Sequence, residues 1–290
     1  MAVSLNTNIS AIVLGRIFER NQAELSQVDE RLATQNRVSR ASDDPSGFAM
    51  MENHRARYTG LAVTARNIQD GIGITQIAQA AMARVQDILL EMDNLALVAA
   101  NGGSTAGGLA ADYTTLDSEY TQLEAELTRI TDTTLYRGQK LLDGSFFGAL
   151  SEIQIGLIDA VPATGTNPNR YSINFQDADL NGSLVPVLNP GGSLASQAAA
   201  TTALTQISTS RTQVNKAVAI IGAHERALSR LLQYNNDTAD VYAAAEGRIR
   251  DADLFAETTR QAKLAVMQQA IVALTAQANS RVELILGLLK

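Results

Sequence analysis

A mainly α-helical fold is predicted: a long coiled-coil or helical bundle built by the N- and C-terminal segments, with a small β-hairpin insert. Three observations predict it. All five prolines lie at positions 45, 162, 168, 186 and 190. Proline breaks helix interiors, so the two proline-free stretches, each of roughly a hundred residues, are free to form long helices. Composition agrees, with 45 Ala against 6 Phe, 7 Tyr and no Trp, which favours helix propensity and close helix packing over bulky sandwich cores. Finally, apolar residues recur at alternating spacings of three and four, the period of a coiled-coil seam.

In the N-terminal segment Phe18, Leu25, Val28 and Leu32 hold a near-heptad spacing, preceded by Ile9, Ile12 and Leu14. Asp43 and Asp44 stand before Pro45 and read as a turn and helix N-cap. A stripe through Leu61, Ile68, Ile72, Met82 and Leu89 follows, and Asn101 to Gly108 reads as a turn between antiparallel helices. Tyr113, Leu116, Tyr120, Leu123, Leu127 and Ile130 form the next stripe. Between about 138 and 192 the pattern changes. Leu141–Gly144, Ile153–Gly156 and Tyr171–Phe175 are short alternating runs split by Gly, Asn and Pro, and predict hairpin strands. Helical spacing resumes through Leu204, Ile207, Val214, Val218, Ile221, Leu228 and Leu232, with Arg211 and Glu225 as polar members of the same grid. The C-terminal stripe runs Leu254, Leu264, Met267, Ile271 and Leu274, then Val282, Leu284, Ile285, Leu286, Leu288 and Leu289.

Much chemistry is excluded. Zero Cys removes disulfides, Cys-ligated zinc, iron–sulfur clusters and thiol nucleophiles. The only imidazoles are His54, read as a solvated helix-face residue, and His224. His224-Glu225 begins like a metalloprotease helix, but the second ligand position is Leu228. No Gly-rich phosphate loop fits its template: Gly71-Ile72-Gly73 is embedded in a helix, and the 101–108 loop lacks Lys. No catalytic, cofactor or metal site is expected, and the chain is not read as an enzyme. A net charge of −7 argues against nucleic acid. No run of about 18 apolar residues offers a membrane span. The first residues lack the features of a cleavable secretory signal.

The charge distribution is uneven. Residues 1–40 carry five Arg and four acids, residues 251–290 four bases and four acids, so the middle carries the whole excess of negative charge. Neutral, amphipathic ends suit dense packing of many copies, and an acidic midsection suits an exposed outer layer. Each end as a helix of about 40 residues reaches ~60 Å. Paired once, two such helices leave apolar surface wet, so the ends are expected to order against neighbouring copies, as a homopolymer.

The same ends carry a family signature. Ser4-Leu5-Asn6-Thr7-Asn8, Arg31-Leu32 and above all Arg37-Val38-Ser39-Arg40-Ala41-Ser42-Asp43-Asp44-Pro45-Ser46-Gly47 resemble bacterial flagellin, as do Gly60-Leu61 and Ala65 to Ile72. At the other end Arg248-Ile249-Arg250-Asp251-Ala252-Asp253, Gln268-Gln269-Ala270, Ala276-Gln277-Ala278-Asn279 and Leu286-Gly287-Leu288-Leu289-Lys290 continue the resemblance.

The resemblance implies a self-polymerising structural subunit of the flagellar filament, used for swimming. It implies an inner coiled-coil domain of 1–42 plus 251–290, lining the filament channel. An outer helical bundle of 43–250 would carry the β insert at about 138–192, without large outer domains. The polymerisation core expected on this basis is Leu5, Ile9, Ile12, Leu14, Phe18, Leu25, Val28, Leu32, Leu264, Met267, Ile271, Leu274, Val282, Leu286, Leu288 and Leu289. Implied partners are further copies of the chain, an export chaperone, and cap and junction proteins. The implied location is extracellular, reached by type III export. A basic patch that many flagellins present to the flagellin-sensing Toll-like receptor, and that also mediates contacts between protofilaments, corresponds to Leu90, Glu91, Asp93 and Leu95 here, with Glu119 as a downstream position. Acids replace both Arg residues of that patch, so receptor activation is expected to be weak or absent. The alternatives are the hook–filament junction protein of the same family and a surface adhesin. An adhesin would need an aromatic platform, for which the insert offers Phe146, Phe147, Tyr171 and Phe175.

Overall fold

A computed structural model of the chain describes residues 8–102, 110–142, 152–156, 169–173 and 190–288, with the side chains of 110–111 and 281–288 outside the description. The order of elements is α1 (Ile9–Thr34), α2 (Pro45–Asn101), α3 (Ala110–Thr133), β1 (Leu135–Tyr136), β2 (Gln139–Lys140), β3 (Glu152–Gln154), β4 (Arg170–Ser172), α4 (Gln197–Arg250) and α5 (Leu254–Leu288). The fold is therefore mainly α with small hairpins, as the periodicity predicts. Contacts divide the chain into two units, Met1–Tyr58 with Asp240–Lys290, and Thr59–Ala239.

The second unit is a helical bundle. Along α2 in this unit a buried line runs Leu61, Thr64, Ile68, Gly71, Thr75, Ala78, Met82, Val85, Leu89, Met92, Ala96 and Ala99, at alternating spacings of three and four, with Ile74 buried beside it. Along α4 in this unit the buried positions are Ala200, Ala203, Ile207, Ser210, Val214, Ala217, Ile221, Leu228 and Asn235. Half of the expected α4 grid is thereby corrected. Ile207, Val214, Ile221 and Leu228 are sealed, but the alternate positions belong to Ala203, Ser210 and Ala217 rather than to Leu204, Arg211 and Val218. Small side chains let two backbones approach closely, and the larger residues then pack at the edge. The α2 stripe shifts likewise, from Ile72 to Gly71 and Thr75. In α3 the expected line holds, with Tyr120, Leu127 and Ile130 buried and Tyr113, Leu116 and Leu123 packed against them.

Helices α2 and α4 run antiparallel. As α2 advances through Leu61, Gln76, Gln86, Asp93 and Ala100, its hydrogen-bond partners on α4 retreat through Asn235, Glu225, Asn215, Arg211 and Gln197. The polar grid members Arg211 and Glu225 thus bind α2 at the rim.

The β region differs from expectation at its start. Leu141 and Leu142 form no strand; both are buried and anchor the segment to the core. The hairpin lies just before them, β1 pairing antiparallel with β2 through the turn Arg137-Gly138. Both turn residues have positive φ, 50° and 82°, as a two-residue hairpin turn with right-handed strand twist requires. Arg137 holds this conformation with its guanidinium 2.9 Å from Asp70 and over the Tyr136 ring. The runs at 153–156 and 171–173 do meet, as β3 and β4, with Ile153 opposite Tyr171. The expected 101–108 turn, apart from Asn101 and Gly102, lies outside the described residues, as do Phe146, Phe147 and Phe175.

In the first unit α1 and α5 also pair antiparallel. Asn8 donates to the Ala278 carbonyl, Asn21 to the Leu264 carbonyl, and Arg31 meets Glu257.

Candidate assembly surface

Two helix breaks frame the α1–α5 pair. At the end of α1 Gln35 takes a left-handed conformation, φ 59°, and the chain turns toward α2. Asn36 forms an antiparallel bridge with Asp251, the Arg37 N–H donates to the Arg250 carbonyl at 2.6 Å, and Ala252 donates to Gln35 at 3.0 Å. Asp43 then accepts from the backbone N–H groups of Arg40 and Ser39, and Asp44 from that of Gly47 at 2.9 Å. Asp44 is the N-cap of α2 with Pro45 at the first helical position, as the spacing predicts. These N–H donors, first Arg40 for Asp43 and first Gly47 for Asp44, hold both carboxyls below the usual carboxylate range. Asp253 caps α5 in the same way, accepting from Phe255 and Ala256.

The seam between α1 and α5 follows from this frame. On α1 the inward line is Ala11, Leu14, Phe18, Asn21, Leu25, Val28 and Leu32, at spacings of three and four throughout. Of its expected members, Leu14, Phe18, Leu25, Val28 and Leu32 lie on it, while Ile9 and Ile12 lie off it. On α5 the inward line is Glu257, Gln261, Leu264, Gln268, Ile271, Thr275 and Ala278. Of the expected stripe here, Leu264 and Ile271 are sealed in the seam, while Leu254, Met267 and Leu274 lie off it and are exposed within one chain.

The consequence is a helix with apolar side chains on every side. A helix hydrophobic all round is a buried helix. Yet Phe255 is 83% exposed, Val266 66%, Val272 55% and Leu274 50% within one chain. On α1 Ile9, Ile12, Val13 and Ile17 are exposed in the same way. An open groove lined by Phe18, Ala265, Gln268, Gln269 and Val272 runs beside the seam. Leu5 and Leu289 lie outside the described residues; Val282, Leu286 and Leu288 are on the α5 backbone, with side chains outside the description.

Of the patch on the second unit, Leu90 is exposed, Glu91 and Glu119 are exposed, and Leu95 is half-buried. Asp93 accepts from Arg211 of α4 at 2.9 Å, so its charge is answered within the chain. Sequence reasoning placed Arg211 in the seam and missed this pairing. His54 is also corrected: it is half-buried with its ring 5.7 Å from Tyr242, and its Nδ1 is shielded without a hydrogen-bond partner. His224 Nδ1 lies 2.8 Å from the Tyr171 hydroxyl. Among the described residues no three His, Asp or Glu side chains group as metal ligands.

Comparison with known proteins bears on this arrangement directly. The family described as bacterial flagellin N-terminal helical region matches residues 5–146, and bacterial flagellin C-terminal helical region matches residues 204–289. The chain belongs to the flagellin family. It is similar to the flagellin of Bacillus subtilis, 29% identical over 309 residues that cover 99% of each chain. Flagellin E of Vibrio cholerae is 34% identical over 60% of this chain, and Flagellin A of Vibrio anguillarum is 40% identical over 53%. This flagellin-family chain spans 45% and 39% of the lengths of those two relatives. A crystal structure of Bacillus cereus flagellin, 26% identical, aligns with 59% of this chain and 88% of its own at a TM-score of 0.43. Both family matches contain the residues that build the seam and its two breaks.

Proposed function

We propose that this chain is the structural subunit of a flagellar filament, polymerising with copies of itself outside the cell to form the propeller for swimming. One observation carries the reading: α5 bears large apolar side chains well beyond the side that α1 covers. Family membership supports it, since a filament supplies many copies to cover the rest. The assembly core is 1–42 with 251–290, and 43–250 is the outer bundle. Export chaperone, cap and junction proteins are its further partners, and there is no catalytic step. Burial of 1,000 Å² of apolar surface per added subunit would contribute on the order of 25 kcal/mol before ordering entropy is subtracted.

The test is negative-stain microscopy of the purified full chain at high concentration. Micrometre filaments are expected; short stacks or none would favour a junction role and overturn the reading. Removing Leu284–Lys290 is expected to abolish filaments while circular dichroism keeps the helical signal of the bundle. The exposed Glu91, with Asp93 tied to Arg211, further supports weak engagement of a receptor that reads cations at these positions. A robust reporter-cell response at nanomolar subunit would overturn that part alone.

A further inference from the structure

Over its described length the α5 side of the seam is more polar than the sides of α5 left open, where Phe255, Val266, Val272 and Leu274 stand. Of the described inward α5 positions Leu264 and Ile271 are large and apolar, while Glu257, Gln261, Gln268, Thr275 and Ala278 fill the rest. Opposite Leu264 the apolar line of α1 is interrupted by Asn21, which is 3% exposed. Its Nδ2 donates to the Leu264 carbonyl at 3.1 Å, but its Oδ1 is buried with no partner. A second cost lies further along the same seam. Arg31 and Glu257 pair at 3.3 Å, yet Arg31 Nε and Glu257 Oε2 are buried without partners. A buried polar atom left unpaired costs its full desolvation, and one Asn in a heptad seam lowers stability in return for specificity. The bundle unit has its own buried Asn235, which donates to the Leu61 carbonyl at 2.8 Å, but there Met82, Leu89 and Met92 seal the α2 line.

We propose that Asn21 is a brake on assembly: it keeps the α1–α5 pair too weak to persist in an isolated subunit, so that the pair closes when neighbouring copies cover the outward side of α5. This rests on the filament reading. A subunit whose competent state is rarely populated binds its polymer with an affinity reduced by that fraction, and a pre-closed pair removes the reduction. The brake prevents growth away from existing filament ends.

The test compares the full chain with Asn21→Leu, which completes the apolar line, and with Leu25→Asn, which adds a second polar residue to it. Hydrogen exchange of residues 14–32 and 257–275 is measured on dilute, unassembled chain, and the critical concentration for growth on seeds is measured separately. Asn21→Leu is expected to raise protection by on the order of tenfold, to lower the critical concentration by a similar factor, and to allow growth without seeds. Leu25→Asn is expected to move both measurements the other way. Protection and critical concentration both within twofold of the parent for Asn21→Leu would overturn the proposal, as would a higher critical concentration, which would make Asn21 a required contact in the polymer. Failure of the unsubstituted chain to form filaments overturns the filament reading instead, and the exchange measurement still reports on Asn21.

Discussion

Replacing Val266 and Val272 together with glutamine strips apolar surface from the outward side of α5 without weakening the helix, since Gln has a higher helix propensity than Val. Both residues are open within one chain, Val266 at 66% and Val272 at 55%. Full burial of a valine side chain contributes about 2 kcal/mol, so covering what remains open contributes about 1.3 and 1.1 kcal/mol. Loss of both would raise the critical concentration of polymerisation ~60-fold. The assay is the concentration of subunit left in the supernatant after seeded growth has reached steady state and the polymer has been pelleted. Thermal unfolding of the bundle, followed by circular dichroism, should be unchanged, because neither residue lies on a buried line. A supernatant concentration within twofold of the parent would refute the argument that neighbours cover this side of α5.

Three other outcomes are expected. Leu89→Ala, at a fully buried position in the α2 line, should destabilise the bundle by about 2–5 kcal/mol in denaturant unfolding, the cost of lost transfer energy plus a cavity. Asp44→Ala should lower the melting temperature by removing the α2 cap. Because the folded carboxyl sits below its usual value, the stability difference from the parent should be complete above about pH 4 and narrow as acid carries the pH down through the folded value. A double-mutant cycle on Asp93→Asn and Arg211→Gln should give a coupling of about 0.2–1 kcal/mol that shrinks at high salt, since the pair is partly exposed; a coupling unaffected by salt would contradict it.

The helices, the α3 line and half of the α4 line were legible because large apolar residues mark them, and the α2 cap because Asp44 stands before Pro45. Ile207, Val214, Ile221 and Leu228 announce one position of each heptad on α4. The other position is held by Ala, Ser, Thr or Gly, which look neutral in a hydrophobicity pattern, so Leu204 and Val218 drew attention to the wrong side. The β1–β2 hairpin was missed because only one of its positive-φ residues is glycine; Arg137 is held in place by Asp70 and Tyr136, contacts distant in sequence or invisible to turn rules. On α5 the error has a different source. An apolar period predicts one buried side, whereas here large apolar residues surround the helix and the intrachain side is the more polar one. The most exposed large apolar residues of α5, Phe255 and Val266, are therefore ones that the expected stripe left out.

The unbroken alternation along α2 from Leu61 to Ala99 has a mechanical consequence. A straight α-helix drifts by about 20° per heptad from a strict 3.5-residue repeat, so holding that line against one partner over this length demands roughly 100° of left-handed winding. Like the lay of a rope, it has a sense: torque applied one way tightens the strands, and torque the other way opens them. In the filament proposed above, strands wound this way would meet clockwise and counter-clockwise drive with unequal stiffness.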